Sequence, residues 1–250
     1  MDIAELRLIG ANFQKVLDER KRELAERQIP WYPYGTLSNL QWLELLLDGS
    51  ALKVDELFGA GPIADIGAAD GDIAFLLDSL GYEVDIVDYP PTNYNSCRAA
   101  HALKAALGAR ATILETDLDR RFELPRERYS FAFFMGILYH LKNPFGAMEA
   151  LAHHARHAVV STRIAKYSAQ PGTASRVELA PLPLAYLLGP TECNNDATNF
   201  WIFSEAGLRR LFDRTGWDVL AWKTVGDTKQ SDPASQQGDE RAFCLLRSRI

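Results

Sequence analysis

Residues 63–90, IADIGAADGDIAFLLDSLGYEVDIVDYP, decide how the rest of the chain is read. Ile63-Ala64-Asp65-Ile66 is short and apolar and follows the breaker Gly59-Ala60-Gly61-Pro62, which predicts a buried strand. Gly67-Ala68-Ala69-Asp70-Gly71 is a loop of small residues, where the chain turns sharply and a ligand can approach the backbone. From Asp72 the residues Ile73, Phe75, Leu76, Leu77 and Leu80 recur at helical spacing, with Gly81 as the stop. Val84-Asp85-Ile86-Val87 predicts a second strand carrying Asp88 at its carboxyl end. In an open α/β sheet that edge binds ligands, and a carboxylate there can accept both hydroxyls of a ribose. The stretch therefore describes a site for a cofactor that contains a nucleoside.

The loop narrows the choice. A dinucleotide fingerprint, G-x-G-x-x-G, lays pyrophosphate against backbone at a helix N-terminus. Here the second and third glycine positions hold Ala69 and Asp72, and Asp70 adds another carboxylate. Negative side chains in those places repel a pyrophosphate. S-adenosylmethionine (SAM) has no phosphate and carries a cationic sulfonium and amine, so it suits an acidic loop.

Outside this stretch, 250 residues with 47% hydrophobic and 24% charged side chains suit one packed domain with a small extension. A formal net charge of −6 argues against a broad nonspecific nucleic-acid footprint. Cys97, Cys193 and Cys244 lack metal or redox spacing and read as reduced thiols, and no apolar run reaches membrane-spanning length. The expectation is a cytoplasmic protein without a membrane partner, its oligomeric state open. His153, His154 and His157 have no carboxylate or cysteine spacing that would make a metal site.

Residues 3–28 keep helical spacing, the mixed charges from Asp18 to Arg27 reading as a solvated face. The aromatic run Pro30-Trp31-Tyr32-Pro33-Tyr34-Gly35 breaks it, and helices follow at 37–47 and 52–58. Beyond Asp88 come a helix at 97–107, strands at 111–115 and 130–135, a helix at 145–155 and a strand at 158–162. That alternation indicates a doubly wound, mostly parallel sheet. Residues 165–203 interrupt it with a Pro-bearing insertion of the length lids have. A helix at 205–215 and a strand at 217–225 follow, then a polar loop at 226–240 and a last strand at 242–246. Two final strands joined without a helix pair antiparallel.

With these residues in place, Asp65-Ile66-Gly67-Ala68-Ala69-Asp70-Gly71 resembles the first motif of class I SAM-dependent methyltransferases, with Ala69 replacing the middle glycine. The resemblance implies a Rossmann-like seven-stranded sheet with an antiparallel last strand, an N-terminal helical cap at 1–58, and a SAM-binding domain at 59–250 whose insertion acts as a lid. It also implies that Asp65, Gly67, Ala68 and Gly71 line the methionine end of SAM. Asp88 takes the ribose hydroxyls, Tyr89 packs near adenine, Asp117 accepts the adenine amino group, and Leu118 supplies a backbone donor. Met135 ends the fourth strand, where such enzymes place the acceptor beside the sulfonium. His140 is then the candidate base and Tyr139 orients the acceptor. Trp31, Tyr34, Asn195 and Trp201 are candidates for the acceptor pocket; Trp31 and Tyr34 could equally be core packing.

A closer resemblance joins Gly136-Ile137-Leu138-Tyr139-His140-Leu141-Lys142-Asn143-Pro144 and Asn199-Phe200-Trp201-Ile202-Phe203-Ser204 to the tRNA wobble-uridine carboxymethyltransferase group and its relatives, which use carboxy-SAM. That group carries basic residues before the domain, whereas Pro30-Trp31-Tyr32-Pro33-Tyr34 has no cation. A buried carboxylate without a cationic partner is costly. The expectation is therefore ordinary SAM and a small-molecule acceptor methylated on O or N. A tRNA modifier and a non-catalytic SAM-binding module are the alternatives.

Overall fold

The computed structural model describes residues 1–169, 175–226, 231–233 and 240–250. The polar loop expected at 226–240 lies for the most part outside them. The chain forms two compact units, Met1–Phe133 with Ala155–Ala158 and Phe134–His154 with Val159–Ile250.

The first unit opens with α1 (Ile3–Glu23), whose N-cap Asp2 accepts from Glu5 N–H. Its buried stripe is Leu6, Gly10 and Leu17, and at Gly10 a side chain would press on Leu40 and Leu76. The helical spacing of residues 3–28, one helix or two, is realised as α1 followed by a 3-10 turn at Ala25–Arg27, which ends at a left-handed Gln28. Helices α2 (Leu40–Leu47) and α3 (Val54–Phe58) lead into β1 (Ile63–Ile66), α4 (Asp72–Ser79) and β2 (Val84–Asp88). After α5 (Arg98–Leu107), closed by a left-handed Gly108, comes β3 (Thr112–Glu115). Strand β1 pairs parallel with β2, and β2 parallel with β3. Phe58, Phe131 and Phe133 are almost fully buried, with ring centroids 5.0 Å apart for Phe58–Phe131 and Phe131–Phe133. The buried Asp85 accepts from Tyr129 Oη at 2.7 Å and Arg126 Nε at 2.8 Å, so its charge is matched inside the core.

Strands β4 (Tyr129–Met135) and β5 (Ala155–Ala165) run through both units, with α6 (Pro144–His154) between them. Helix α6 passes into β5 without a loop, and β5 exceeds its expected span at both ends. Arg156, His157 and Arg163 interrupt the apolar run in the sequence, yet Ser161, Thr162 and Arg163 are buried in the strand.

In the second unit the described residues of the insertion form short paired strands. Strand β6 (Tyr167–Ala169) pairs antiparallel with β7 (Arg176–Glu178), and β8 (Ala185–Leu187) antiparallel with β9 (Trp201–Ser204). Strand β9 also pairs parallel with the end of β5. Leu179, Leu188, Cys193 and Ile202 bury against Ala165, giving this region a core of its own. Prolines 181, 183 and 190 hid strands of three or four residues in the sequence. Residues Trp201–Ser204 form strand β9, and the last of them, Ser204, caps α7 (Glu205–Arg214) by accepting from Gly207 N–H. Then β10 (Trp217–Gly226) pairs antiparallel with β11 (Glu240–Ser248), as expected of the reversed hairpin. The main sheet reads β10-β11-β5-β4-β1-β2-β3, with β9 joined to β5 and β8 to β9.

Candidate active site

The loop between β1 and α4 keeps the shape glycines would give it. Gly67 and Gly71 have φ of 71° and 86°, and Ala69, at the substituted middle position, has φ of 56°. Ala69 therefore sits in the left-handed region that an L side chain enters at a cost of about 1–2 kcal/mol. Its N–H donates to Asp88 Oδ2 at 3.0 Å, and Gly67 N–H donates to Val87 O at 2.8 Å, so the loop is strapped to the end of β2. At Gly71 a Cβ would lie 3.0 Å from Ile86 and from Phe75, a crowding that excludes larger residues.

Four carboxylates surround this loop. Asp65 is buried and accepts from Ala74 N–H at 3.2 Å; burial, with Asp88 and Asp72 nearby, pushes its carboxyl up to about 7. Asp88 accepts from Ala69 N–H, Asn93 Nδ2 at 2.9 Å and Tyr89 N–H at 2.8 Å, and burial raises its carboxyl as well. Two of these bonds end on Oδ2 and one on Oδ1, so three of roughly four acceptor positions are taken and the Oδ1 side keeps one for a hydroxyl. Asp70 and Asp72, 1% and 2% exposed, share Lys21 Nζ at 3.0 and 3.4 Å. Asp70 also accepts from Tyr32 N–H and from Asn95 Nδ2 at 2.7 Å.

The other expected cofactor residues are near or apart as follows. Thr116 N–H donates to Asp88 O, which brings the end of β3 beside the end of β2. Asp117, next along, is half-buried and accepts from Asp119 N–H at 3.0 Å, capping its own turn with Leu118 inside it. Tyr89 is half-buried, and Ala68 is almost wholly buried within the loop. Trp31 packs on Ile29, Ala99 and Ala102 with Lys21 Nζ 5.4 Å from its ring centroid. Tyr34 is 71% exposed, its ring edge-on to Tyr32.

In the second unit, Met135 ends β4 half-buried and Gly136 turns with φ of 77°. Tyr139 is buried and its carbonyl accepts from Phe200 N–H at 2.8 Å. His140 Nδ1 lies 3.0 Å from Thr198 O and 3.1 Å from Thr198 Oγ1. A carbonyl only accepts, so this bond assigns the proton to Nδ1 and leaves the Nε2 lone pair as an acceptor. Thr198 Oγ1 donates in turn to Asp196 at 2.6 Å. Burial pushes the His140 imidazole below its ordinary value, keeping it neutral at physiological pH. Trp201 Nε1 donates to Lys142 O at 3.2 Å, while Asn195 is exposed in a run, Cys193-Asn194-Asn195, whose φ are 48°, 67° and 55°.

Two residues at this position escaped the sequence reading. Arg163 near the end of β5 and Arg241 at the start of β11 place their guanidinium carbons 5.8 and 5.6 Å from the Tyr139 ring centroid. Arg241 Nη1 also donates to Tyr139 Oη at 3.3 Å. Neither stands in a motif, and strand order alone could have pointed to them, because β5 and β11 are neighbours in the sheet.

A parallel α/β sheet closed by a reversed hairpin, with a small-residue loop and acidic strand ends, defines the class I methyltransferase fold. The chain belongs to the methyltransferase-domain family, whose model matches residues 41–221. It is a SAM-dependent methyltransferase. The acidic loop fits that cofactor, since buried carboxylates favour a sulfonium nucleoside and oppose a phosphate. No curated protein matches the chain in sequence.

Solved structures share the fold at low identity. The N-terminal domain of EvdMO1 with bound S-adenosylhomocysteine (SAH) superposes with a TM-score of 0.57 at 16% identity, over 94% of this chain and 97% of that one. A putative methyltransferase from Bacillus halodurans gives 0.54 at 13%, over 83% and 99%. The [4+2]-cyclase SpnF gives 0.55 at 12%, over 89% and 87%. Among the described residues no helix is long and apolar enough to cross a membrane, and no group of three or more His, Cys, Asp or Glu could hold a metal ion.

Proposed function

We propose that this enzyme methylates an oxygen or nitrogen of a small molecule held past the carboxyl end of β4, with His140 as general base and Tyr139 orienting the acceptor. The observation that carries the reading is the tautomer: Thr198 O fixes the His140 proton on Nδ1, which directs a neutral, basic Nε2 away from that bond. When bound, SAM supplies an electrophilic methyl on a cationic sulfur. Asp65, Gly67, Ala68 and Gly71 hold its methionine end. Asp88 takes a ribose hydroxyl on its remaining Oδ1 position, with Tyr89, Asp117 and Leu118 at the adenine and Met135 beside the methyl. Nε2 would take the acceptor's proton as the methyl carbon exchanges its bond to sulfur, which leaves as a neutral thioether, for one to the acceptor, and orientation of the two reactants would supply most of the rate. In the same proposal residues 1–58 act as a cap and 165–203 as a lid, with Trp31, Tyr34, Asn195 and Trp201 touching the acceptor.

The test follows methyl-labelled SAM with a panel of hydroxylated and amine-bearing metabolites, alongside bulk tRNA. The expected result is label on a small molecule, lost about 10²–10³-fold in His140→Ala, with SAH affinity within threefold of wild type. Undiminished turnover in that variant removes the base assignment, and label on tRNA removes the small acceptor. The resemblance to SpnF, named a cyclase, makes product analysis by mass part of the assay.

A further inference from the structure

We propose that Asn93 is a positioning residue for the cofactor: its side-chain amide locks the Asp88 carboxylate in the one orientation that offers Oδ1 to a ribose hydroxyl. The inference deepens the cofactor reading given above and rests on its assignment of Asp88 to the ribose.

A short turn brings Asn93 back to the end of β2. Pro90 and Pro91 have fixed φ, and the N–H groups of Thr92 and Asn93 both donate to Tyr89 O, at 3.0 and 2.9 Å. Asn93 is half-buried there, and its amide meets four partners. Nδ2 donates to Asp88 Oδ2 at 2.9 Å and to Ala69 O at 3.2 Å. Oδ1 accepts from Asn95 N–H at 3.0 Å and from Cys97 N–H at 2.9 Å, just before α5. Backbone N–H groups only donate, while an ionised carboxylate and a carbonyl only accept, so the amide has a single orientation. Both of its donors and both of its acceptor positions are then in use. An aspartate here would have no proton for Asp88, and a serine would have one where two acceptors wait.

The effect on Asp88 is directional. Ala69 N–H and Asn93 Nδ2 occupy Oδ2, whereas Oδ1 accepts from Tyr89 N–H and keeps a position for a hydroxyl. A carboxylate held in this way gives up little rotamer freedom when the hydroxyl arrives. Burial pushes the Asp88 carboxyl up, and the Asn93 bond is the largest of the three that oppose the rise. Asn93 thereby favours the ionised form, whose bond to a hydroxyl is about twice as strong as a neutral one. Asn93 also holds Ala69 O while Asp88 holds Ala69 N–H, so the left-handed alanine is gripped on both sides.

The experiment measures, by calorimetry on the full chain, the affinities for SAH and for its 2′,3′-dideoxy analogue. Their ratio cancels any loss common to both ligands, so a residue that only supports the fold leaves it unchanged. Wild-type protein should favour SAH by about tenfold or more, the worth of one hydrogen bond to a charged group. Asn93→Asp keeps an acceptor for Cys97 N–H but removes the donor to Asp88, and its ratio should fall below about threefold. Asn93→Ala, which brings no new charge, should fall likewise, with melting temperatures confirming folded protein. In wild-type protein the Asn93 side-chain amide resonances should shift with SAH and stay in place with the analogue, a reading that needs no folded variant. A ratio kept in both variants overturns the proposal, as do amide resonances that respond equally to the two ligands. Where Asp88→Ala abolishes the preference and the Asn93 variants retain it, the positioning role falls and the ribose assignment stands. Wild-type protein that binds both ligands equally removes the ribose assignment, and the positioning role with it.

Discussion

At Asp65 the fold has placed a carboxyl where water is excluded and two further carboxylates act on it, so it titrates near 7. Because this value is raised over the unfolded one, its contribution to stability is complete in acid and is lost as pH rises through about 7. A cation bound against it reverses the penalty, since the ionised form then has a partner. SAM affinity should therefore rise with pH between about 5.5 and 7.5 and level off above. Calorimetry in buffers of different ionisation enthalpy should show proton release on binding. Asp65→Asn should flatten the profile; a slope unchanged in that variant would place the titrating group elsewhere. Asp88 gives a second test at this scale. Asp88→Ala removes the acceptor of Ala69, Asn93 and Tyr89 donors together, and SAM affinity should fall at least tenfold, whereas unchanged affinity ends the ribose assignment.

Element by element, the sequence was most legible where periodicity and breakers agreed. Residues 63–90 folded as read because Gly67 and Gly71 bracket the turn and the helix and strand patterns are unbroken. Strand β5 extends past Thr162 because Arg163, whose charge marks a strand end in the sequence, lies buried within it. Strands β8 and β9 were missed because three or four residues between prolines carry no period, and only pairing with β5 reveals them. Ser204 shows how closely that region is fitted to α7: its hydroxyl receives Gly207 N–H and Leu184 N–H, both at 3.0 Å, and donates to Leu182 O. Ser204→Ala should cost about 1–2 kcal/mol in chemical denaturation, from the lost cap together with the Leu184 N–H left unpaired. Gly207→Ala should cost more, since its Cβ would fall inside the Leu184 carbonyl group. A melt equal to wild type would show that β8 shifts aside freely.

For the molecule as a whole, the site divides by how far apart in sequence its parts lie. The residues proposed for the cofactor were readable because the loop and Asp88 are close neighbours in the chain, and a local motif records them. The cluster around Tyr139 draws on Arg163, Thr198 and Arg241, which only the tertiary fold assembles, so no local motif records it. The N-terminal segment is likewise joined by tertiary contacts: Lys21 from α1 is the cation shared by Asp70 and Asp72. Lys21→Met leaves two buried carboxylates without it and should destabilise the protein by about 3–5 kcal/mol, with SAM protecting less in thermal melts. Lys21→Arg should restore most of the loss, and a Lys21→Met protein as stable as wild type would show that the segment is held by its apolar stripe alone.

Ala69 carries one more consequence. Its backbone pose costs an alanine about 1–2 kcal/mol, while a glycine there would forfeit about 0.5–1 kcal/mol of chain entropy on ordering. The second penalty offsets about half of the first, leaving alanine only about 0.5–1 kcal/mol the worse, and the codons for these amino acids differ by a single base. The lettering of the loop can thus drift between generations with little for selection to detect, while its contour is inherited intact. Searches keyed to three literal glycines will pass over relatives whose geometry is the same.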